Sequence, residues 1–197
     1  MPIKHQSGIT SQWHTLVTDA QSACGVQLKL NIEGYLVNTL VNYSQRPEIA
    51  ARIFAIDYML AQNEQGQVRH TQLRDLADQC LLYAGLFPQY AKHHNVRASY
   101  YINIGRSAYS DLSNVKNTCT NIFAELSECF VELMDTLLAI HHIDDVESDD
   151  FILDPIHALQ TWQQTKSQQA LKMFQQQVQS SNVVDFNSTQ KLSNIKH

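Results

Sequence analysis

Residues 72–112, QLRDLADQCLLYAGLFPQYAKHHNVRASYYINIGRSAYSDL, contain two helical patterns separated by a Gly-Leu-Phe-Pro break. In the first pattern apolar residues recur at steps of three and four, and from Leu76 onward the sequence is apolar on nearly every side. Because a helix that is apolar all round belongs in the interior of a protein, this pattern predicts a central helix over residues 68–85. Gly85 and Pro88 end that helix.

The second pattern predicts a helix from about Ala98 to Leu112. Its inward face consists of Tyr101, Gly105, Ala108 and Leu112. A glycine inside a helix costs about 0.5–1 kcal/mol relative to alanine. Gly105, with Ala108 beside it, therefore predicts a close approach to another helix, and the candidate is the helix over 68–85.

Helical patterns also flank this stretch on both sides. They cover residues 8–24, a segment that Asn31 can cap, a segment with Pro47 in its first turn, residues 117–142 and a last segment opened by Pro155. Residues 26–30 alternate like a strand and are expected to form an extended connector. We therefore predict an all-α protein, an irregular bundle of about seven helices with a central apolar helix. Residues 1–179 are predicted to form one domain, and the polar tail 180–197 is expected to be largely disordered.

Three of these flanking helices have predicted faces. The third pattern is expected to bury Ile49, Ile53, Ile56 and Leu60, and the last pattern Leu159, Trp162, Leu171, Phe174 and Val178. In the pattern over 117–142, the expected inward residues run from Cys119 to Ile140 at helical spacing, with Glu125, Glu128, Glu132 and Asp135 on the other sides.

Composition excludes several classes of protein. The formal charge of −5 and the lack of a basic stretch give no support for nucleic-acid or acidic-membrane binding. No run of 18 apolar residues predicts a transmembrane helix, and the first residues contain no apolar run of the kind found in signal peptides. The four cysteines are widely spaced, which predicts reduced, buried thiols and a cytoplasmic protein.

Acidic residues are concentrated in one part of the chain. Between Lys116 and Lys166 there are ten Asp and Glu and no Lys or Arg. A solvated acidic face is the simplest interpretation, and a basic partner or a cation is the alternative. The loop 144–150 alternates acidic residues as a calcium loop does, but the required glycine is replaced by Asp150 and the closing glutamate by Ile156.

Catalytic and metal-binding motifs are absent from the sequence. It contains no Glu-x-x-His pair for a di-iron bundle, no Gly-x-Ser-x-Gly elbow, no phosphate-binding glycine loop and no dinucleotide fingerprint. The doublets His93-His94 and His141-His142 cannot chelate as an i,i+4 pair does, because adjacent helical residues point about 100° apart. We therefore predict no catalytic residues, no metal and no cofactor.

One polar cluster lies within the opening stretch. Asp78 is surrounded by apolar residues, and a buried carboxylate needs hydrogen-bond donors, which Arg106 or a tyrosine hydroxyl could supply. The structural interpretation is a strut that ties two helices together, and the functional interpretation is an acidic group lining a small ligand pocket. The candidate ligand-binding residues are Asp78, Tyr83, Tyr101, Arg106 and Tyr109.

The same residues resemble a known signature. The run Tyr35-Leu36-Val37 is followed by Asp78-Gln79-Cys80-Leu81, the run from Ala84 to Pro88 and the run from Tyr100 to Tyr109. Together they resemble a family of uncharacterised bacterial helical proteins with the signature D-x-x-L-x-x-x-G-x-F-P … Y-Y-x-x-x-G-x-x-A-Y. The resemblance covers roughly residues 30–140. It implies a helical fold, a bacterial cytosolic setting and a set of residues that act as a unit, and it implies no particular reaction. That set is Asp78, Gly85, Tyr101, Gly105 and Tyr109.

The sequence favours a non-catalytic interaction or regulatory module that binds a protein partner or forms a homo-oligomer. This hypothesis depends mainly on the missing catalytic motifs. The alternative is a helical bundle that binds a small ligand or a metal, with or without catalysis, in a pocket near Asp78 and Tyr101. A DNA-binding helix-turn-helix protein is a third alternative, which the acidic balance opposes.

Overall fold

The structure is a computed structural model that describes residues 3–44, 54–88, 96–114, 122–144 and 153–179, without the side chains of 3–7 and 141–144. These residues form nine helical segments and no strand, which confirms the all-α prediction for this part of the chain. The segments are α1 (Ile3–Cys24), α2 (Leu30–Ser44), α3 (Phe54–Asn63), α4 (Gly66–Gly85), α5 (Ala98–Ser113), α6 (Ile122–Glu128), α7 (Phe130–Asp144), α8 (Pro155–Thr165) and α9 (168–179).

Several predictions fall on residues outside these ranges. They are the first turn at Pro47, the inward positions Ile49 and Ile53, the first histidine doublet, Cys119, the acidic loop after Asp144 and the tail 180–197. The side chains of the second histidine doublet also belong to the undescribed set.

Helices α4 and α5 have the buried faces that the sequence predicts. In α4, Leu73, Leu76, Ala77 and Cys80 are buried, and every residue from Leu76 to Gly85 is buried except the half-buried Gln79. In α5 the four predicted inward residues are all buried. These two helices make the most extensive contact in the described structure, and α4 also contacts α3 and α7.

Two glycines allow helices to approach closely. A Cβ atom on Gly105 would lie 2.5 Å from the ring of Phe130 and 3.0 Å from Cβ of Cys80 on α4, which fits the predicted close approach. A Cβ atom on Gly85 would lie 2.6 Å from Cβ of Leu137. Gly85 therefore does more than end α4, because it also lets the end of that helix contact α7.

The middle of helix α7 is completely buried, as is nearly all of the second half of α4. All eight residues from 133 to 140 are buried, including Asp135, so the prediction of Asp135 on an outer side is wrong. The expected long helix over 117–142 appears as α6 and α7 with a turn at Cys129. Helical hydrogen bonds continue through that turn, from Cys129 N to Glu125 O and from Leu133 N to Cys129 O.

Helix α3 has the opposite orientation to the predicted one. Phe54 and Ala61 are buried, whereas Ile56 is 50% exposed and Leu60 57% exposed. The sequence of α3, FAIDYMLAQN, is apolar on most sides, so its periodicity does not indicate which side faces the core.

The last predicted helix is broken in two. Lys166 adopts a left-handed conformation with φ of 63°, and α9 begins after Ser167. The predicted stripe is wrong as well, since all five of its members are half-buried or exposed. The buried positions are Ala158, Thr161, Ser167, Gln169, Ala170, Met173 and Gln177.

The connector between α1 and α2 is shorter than predicted, because Leu30 already belongs to α2. Gly25 ends α1 with φ of 73°, a left-handed conformation that glycine adopts readily, and residues 26–29 are not helical. Asn31 does not cap α2, because that helix begins at Leu30. The side-chain amide of Asn31 instead donates to Oε2 of Glu125 on α6 at 3.1 Å.

Candidate functional site

Asp78 lies where three helices meet. Its side chain projects from α4, and its Oδ1 atom accepts hydrogen bonds from the hydroxyl of Tyr35 on α2 at 2.7 Å and from the hydroxyl of Tyr109 on α5 at 2.6 Å. Asp78 is 8% exposed and Tyr109 is fully buried. The carboxylate thus joins α2, α4 and α5 through a single oxygen atom.

Aromatic rings surround this carboxylate. Tyr35 meets Tyr109 edge-on at 6.3 Å between ring centroids, and Phe123 of α6 stacks against Tyr109 at 6.2 Å. The ring of Phe130 on α7 also contacts the Tyr109 ring, with 6.1 Å between their centroids. Water is therefore largely replaced by hydrocarbon around Asp78, which disfavours its charged form.

The environment shifts the pKa of each member of the cluster. Burial raises the pKa of Asp78 from 3.8 to about 6, although the hydrogen bonds from Tyr109 and Tyr35 and the charge of Arg74 act in the opposite direction. Burial and the neighbouring Asp78 raise the pKa of Tyr35 and of Tyr109 well above the ordinary value of 10.0. Both phenols therefore remain protonated donors at neutral pH.

Tyr83 and Tyr101 form a separate aromatic cluster. Their rings stack at 5.5 Å with an interplanar angle of 12°, and Phe54 of α3 meets both rings edge-on. Burial raises the pKa of Tyr101 to about 12. Of the five candidate residues, the structure thus brings Asp78 together with Tyr109 and brings Tyr83 together with Tyr101.

Arg106 belongs to neither cluster. Its side chain is exposed, and Nε donates to the backbone carbonyl of Ser127 on α6 at 3.1 Å, while the Ser127 hydroxyl donates back to the carbonyl of Arg106 at 3.0 Å. The tyrosine donors predicted for Asp78 are therefore present. The alternative prediction, that Arg106 supplies the donor, is wrong.

Tyr35 is a partner of Asp78 that was not among the five candidate residues. Tyr35 lies on the inward face of α2, where a phenolic hydroxyl needs a hydrogen-bond partner, and this was the available signal. Other tyrosines also link helices through their hydroxyls. Tyr43 donates to the carbonyl of Asp75 at 3.3 Å, Tyr58 donates to Asp111 at 2.6 Å, and Tyr100 accepts from the backbone of Ala55 at 3.0 Å.

A second buried carboxylate caps a helix. Asp135 of α7 accepts a hydrogen bond from the Ser167 hydroxyl at 2.5 Å and from the backbone N–H groups of Gln168 at 2.9 Å and Gln169 at 3.4 Å. These N–H groups open α9 and have no partner within the helix. Burial raises the pKa of Asp135. Asp135 therefore replaces the solvent that would otherwise satisfy the first turn of α9.

Two cavities among the described residues lie away from both clusters. A groove of about 730 Å³ follows the end of α1 and the connector, and a cleft of about 220 Å³ lies between that connector and Glu125, Glu128, Cys129 and Glu132. Within the described ranges, no three His, Cys, Asp or Glu side chains come together as a metal site requires. Among the same residues, no helix combines the length and apolar character needed to cross a bilayer.

Fold and site define an all-helical protein with a buried carboxylate–tyrosine cluster at the junction of three helices. The chain matches no protein-family model, no characterised protein and no solved structure. The resemblance drawn from the D-x-x-L and Y-Y-x-x-x-G signature therefore stays a prediction.

Proposed function

We propose that this protein is a non-catalytic cytosolic interaction module that associates with a second copy of itself through the outward face of α3. One observation carries the proposal. Ile56, Met59 and Leu60 are 50, 67 and 57% exposed, and their spacing places them side by side on one face of the helix. Large apolar side chains grouped in this way are typical of interaction surfaces.

The size of this face fits a weak dimer. The three side chains leave roughly 350 Å² of apolar surface in water, within the range of functional patches on monomers. Two copies would bury roughly 700 Å² of apolar surface, well below the standard interface of about 1,600 Å² and in the range of weak contacts. We therefore expect association that depends on protein concentration.

Charge on α3 permits a symmetric contact. The only charged residue within the helix is the half-buried Asp57, which lines a small pocket with Leu60 and with Asp75 of α4, so a symmetric contact centred on Ile56 and Met59 keeps these carboxylates at its edge. The net charge of −5 on each chain opposes association over longer distances. Because salt screens that repulsion, added salt should favour the dimer or leave it unchanged.

The buried titratable groups support a non-catalytic role. Burial raises the pKa of the Cys80 thiol well above its usual range and that of Cys129 to about 11, so neither supplies a thiolate at neutral pH. A ligand pocket near Asp78 and Tyr101, the alternative function, has less support. Asp78 already accepts two hydrogen bonds, and Tyr101 lies in a different cluster.

Sedimentation velocity over a wide range of protein concentrations tests the proposal. The natural protein should shift from monomer to dimer, and Leu60→Glu should remain monomeric. Leu30→Glu is the matched control, because Leu30 is 87% exposed and lies on α2, outside the α3 face. A natural protein that stays monomeric throughout, or equal behaviour of the two variants, would overturn the proposal. Circular dichroism confirms that each variant is folded.

A further inference from the structure

Two tyrosine hydroxyls join α2 to α4. Helix α2 buries Ile32, Leu36 and Leu40 in the core and contacts α1 more than any other described helix, and its described hydrogen bonds to α4 come from Tyr35 and Tyr43. Helices α4 and α5 are packed tightly against each other. If the cluster at Asp78 opened, α2 would therefore be the helix to move, and Tyr109 would remain beside Asp78.

We propose that Asp78, Tyr35 and Tyr109 form a proton-operated latch that holds α2 against α4 and α5 when Asp78 is protonated and loosens α2 when Asp78 is ionised. The geometry carries this inference. A carboxylate with little access to water is held by two neutral phenols on one oxygen, and its described hydrogen bonds include none from a cation. Ionisation in such a place favours a state in which water reaches the charge.

Few charged groups lie near Asp78, and two of them act on its pKa. Tyr35 faces Asp78 from α2 and Tyr109 from α5, while Phe123 of α6 presents a ring. On α4 itself, the charge of Arg74 stabilises the ionised form and the charge of Asp75 opposes it. Arg74 is exposed and contacts Asp75 at 3.6 Å, so it does not neutralise Asp78 directly.

The direction of the pH dependence follows from linkage. In the closed structure the pKa of Asp78 is raised to about 6, and in an open state it returns toward 3.8. The closed state therefore holds the proton more tightly, and opening of α2 becomes easier as pH rises from below 4 through 6. With these two values, the opening constant should be about tenfold larger near pH 7.5 than near pH 5.

Hydrogen exchange of the α2 amides, corrected for the intrinsic effect of pH, measures this opening. In the natural protein, protection of α2 should fall about tenfold between pH 5 and pH 7.5. In Asp78→Asn, which keeps an acceptor but cannot ionise, this change should disappear. An equal fall in the natural protein and in Asp78→Asn would overturn the latch.

Three further variants keep the test decisive. His14 on α1 contacts Glu33 of α2 at 3.0 Å, so His14→Gln removes a second polar link to α2 and should retain the pH dependence if Asp78 causes it. Tyr43→Phe removes a hydroxyl that donates to a backbone carbonyl, and it should loosen α2 equally at both pH values. Tyr35→Phe should loosen α2 more near pH 7.5, because the lost hydrogen bond stabilised the ionised carboxylate. Equal effects of Tyr35→Phe and Tyr43→Phe at both pH values would refute the latch even if Asp78→Asn failed to fold.

Discussion

Replacing Gly85 by alanine tests the contact between α4 and α7. The new Cβ atom would lie 2.6 Å from Cβ of Leu137 and 3.1 Å from the carbonyl oxygen of Met134. Neither atom can rotate away, because a carbonyl oxygen and a Cβ move only with the backbone of α7. Overpacking of this kind costs about 1–3 kcal/mol, against a gain of about 0.5–1 kcal/mol from the helix propensity of alanine.

We therefore expect Gly85→Ala to lower the free energy of unfolding by about 2 kcal/mol, since the rigid contact places its cost at the upper end of that range. For a chain of this size the melting temperature should fall by about 4–8 °C. Gly34→Ala is the matched control, because Gly34 is also helical and no atom lies within 4 Å of its added Cβ. That variant should gain about 0.5–1 kcal/mol.

Urea unfolding followed by circular dichroism measures both variants, with equal slopes required for the comparison. If Gly85→Ala is as stable as the natural protein, the added Cβ does not clash with α7. If Gly34→Ala loses as much stability as Gly85→Ala, the loss reflects glycine replacement in general and not this clash.

Two further predictions concern Gly105 and Asp135. Gly105→Ala should lose about 1–3 kcal/mol, because its Cβ would lie 2.5 Å from the ring of the fully buried Phe130 and 3.0 Å from Cβ of Cys80, which moves only with the backbone of α4. Phe130→Leu shortens that side chain, so a double-mutant cycle in urea should show a smaller loss in the double variant than the sum of the single losses, and strict additivity would contradict the contact. Asp135→Ala should lower stability by about 1–2 kcal/mol by leaving the first N–H groups of α9 without an acceptor, whereas Asp135→Asn keeps one acceptor and should lose less. Thermal unfolding checks this pair, and equal losses in the two variants would show that hydrogen bonding to α9 is not the cause.

Local periodicity was sufficient to predict the faces of α4 and α5. Leu73, Leu76, Ala77 and Cys80 are buried because residues three and four apart share a helix face. Gly105 also carried a readable signal, since a helix-weakening residue without a turn implies a steric requirement. Both predictions depend only on residues that are close together in the sequence.

Features that depend on distant residues could not be predicted in this way. Asp78 is 43 residues from Tyr35, so the sequence showed the need for a donor and not which donor would meet it. Asp135 was predicted on an outer side, yet it is buried and binds the first turn of α9, 33 residues further along the chain. On α3, apolar residues on both sides left the orientation of Ile56 and Leu60 undetermined.

The contact between Lys172 and the end of α1 has a consequence for the order of folding. Its ammonium group donates to the carbonyl oxygens of Ala23 at 3.2 Å and Cys24 at 3.4 Å, so α9 closes a hydrogen bond across 149 residues. Contacts between such distant residues form late, because the intervening chain must first be ordered. During synthesis the carbonyl oxygens of Ala23 and Cys24 cannot meet this ammonium group until Lys172 has been made. We therefore expect the end of α1 to gain its full stability only when α9 has formed.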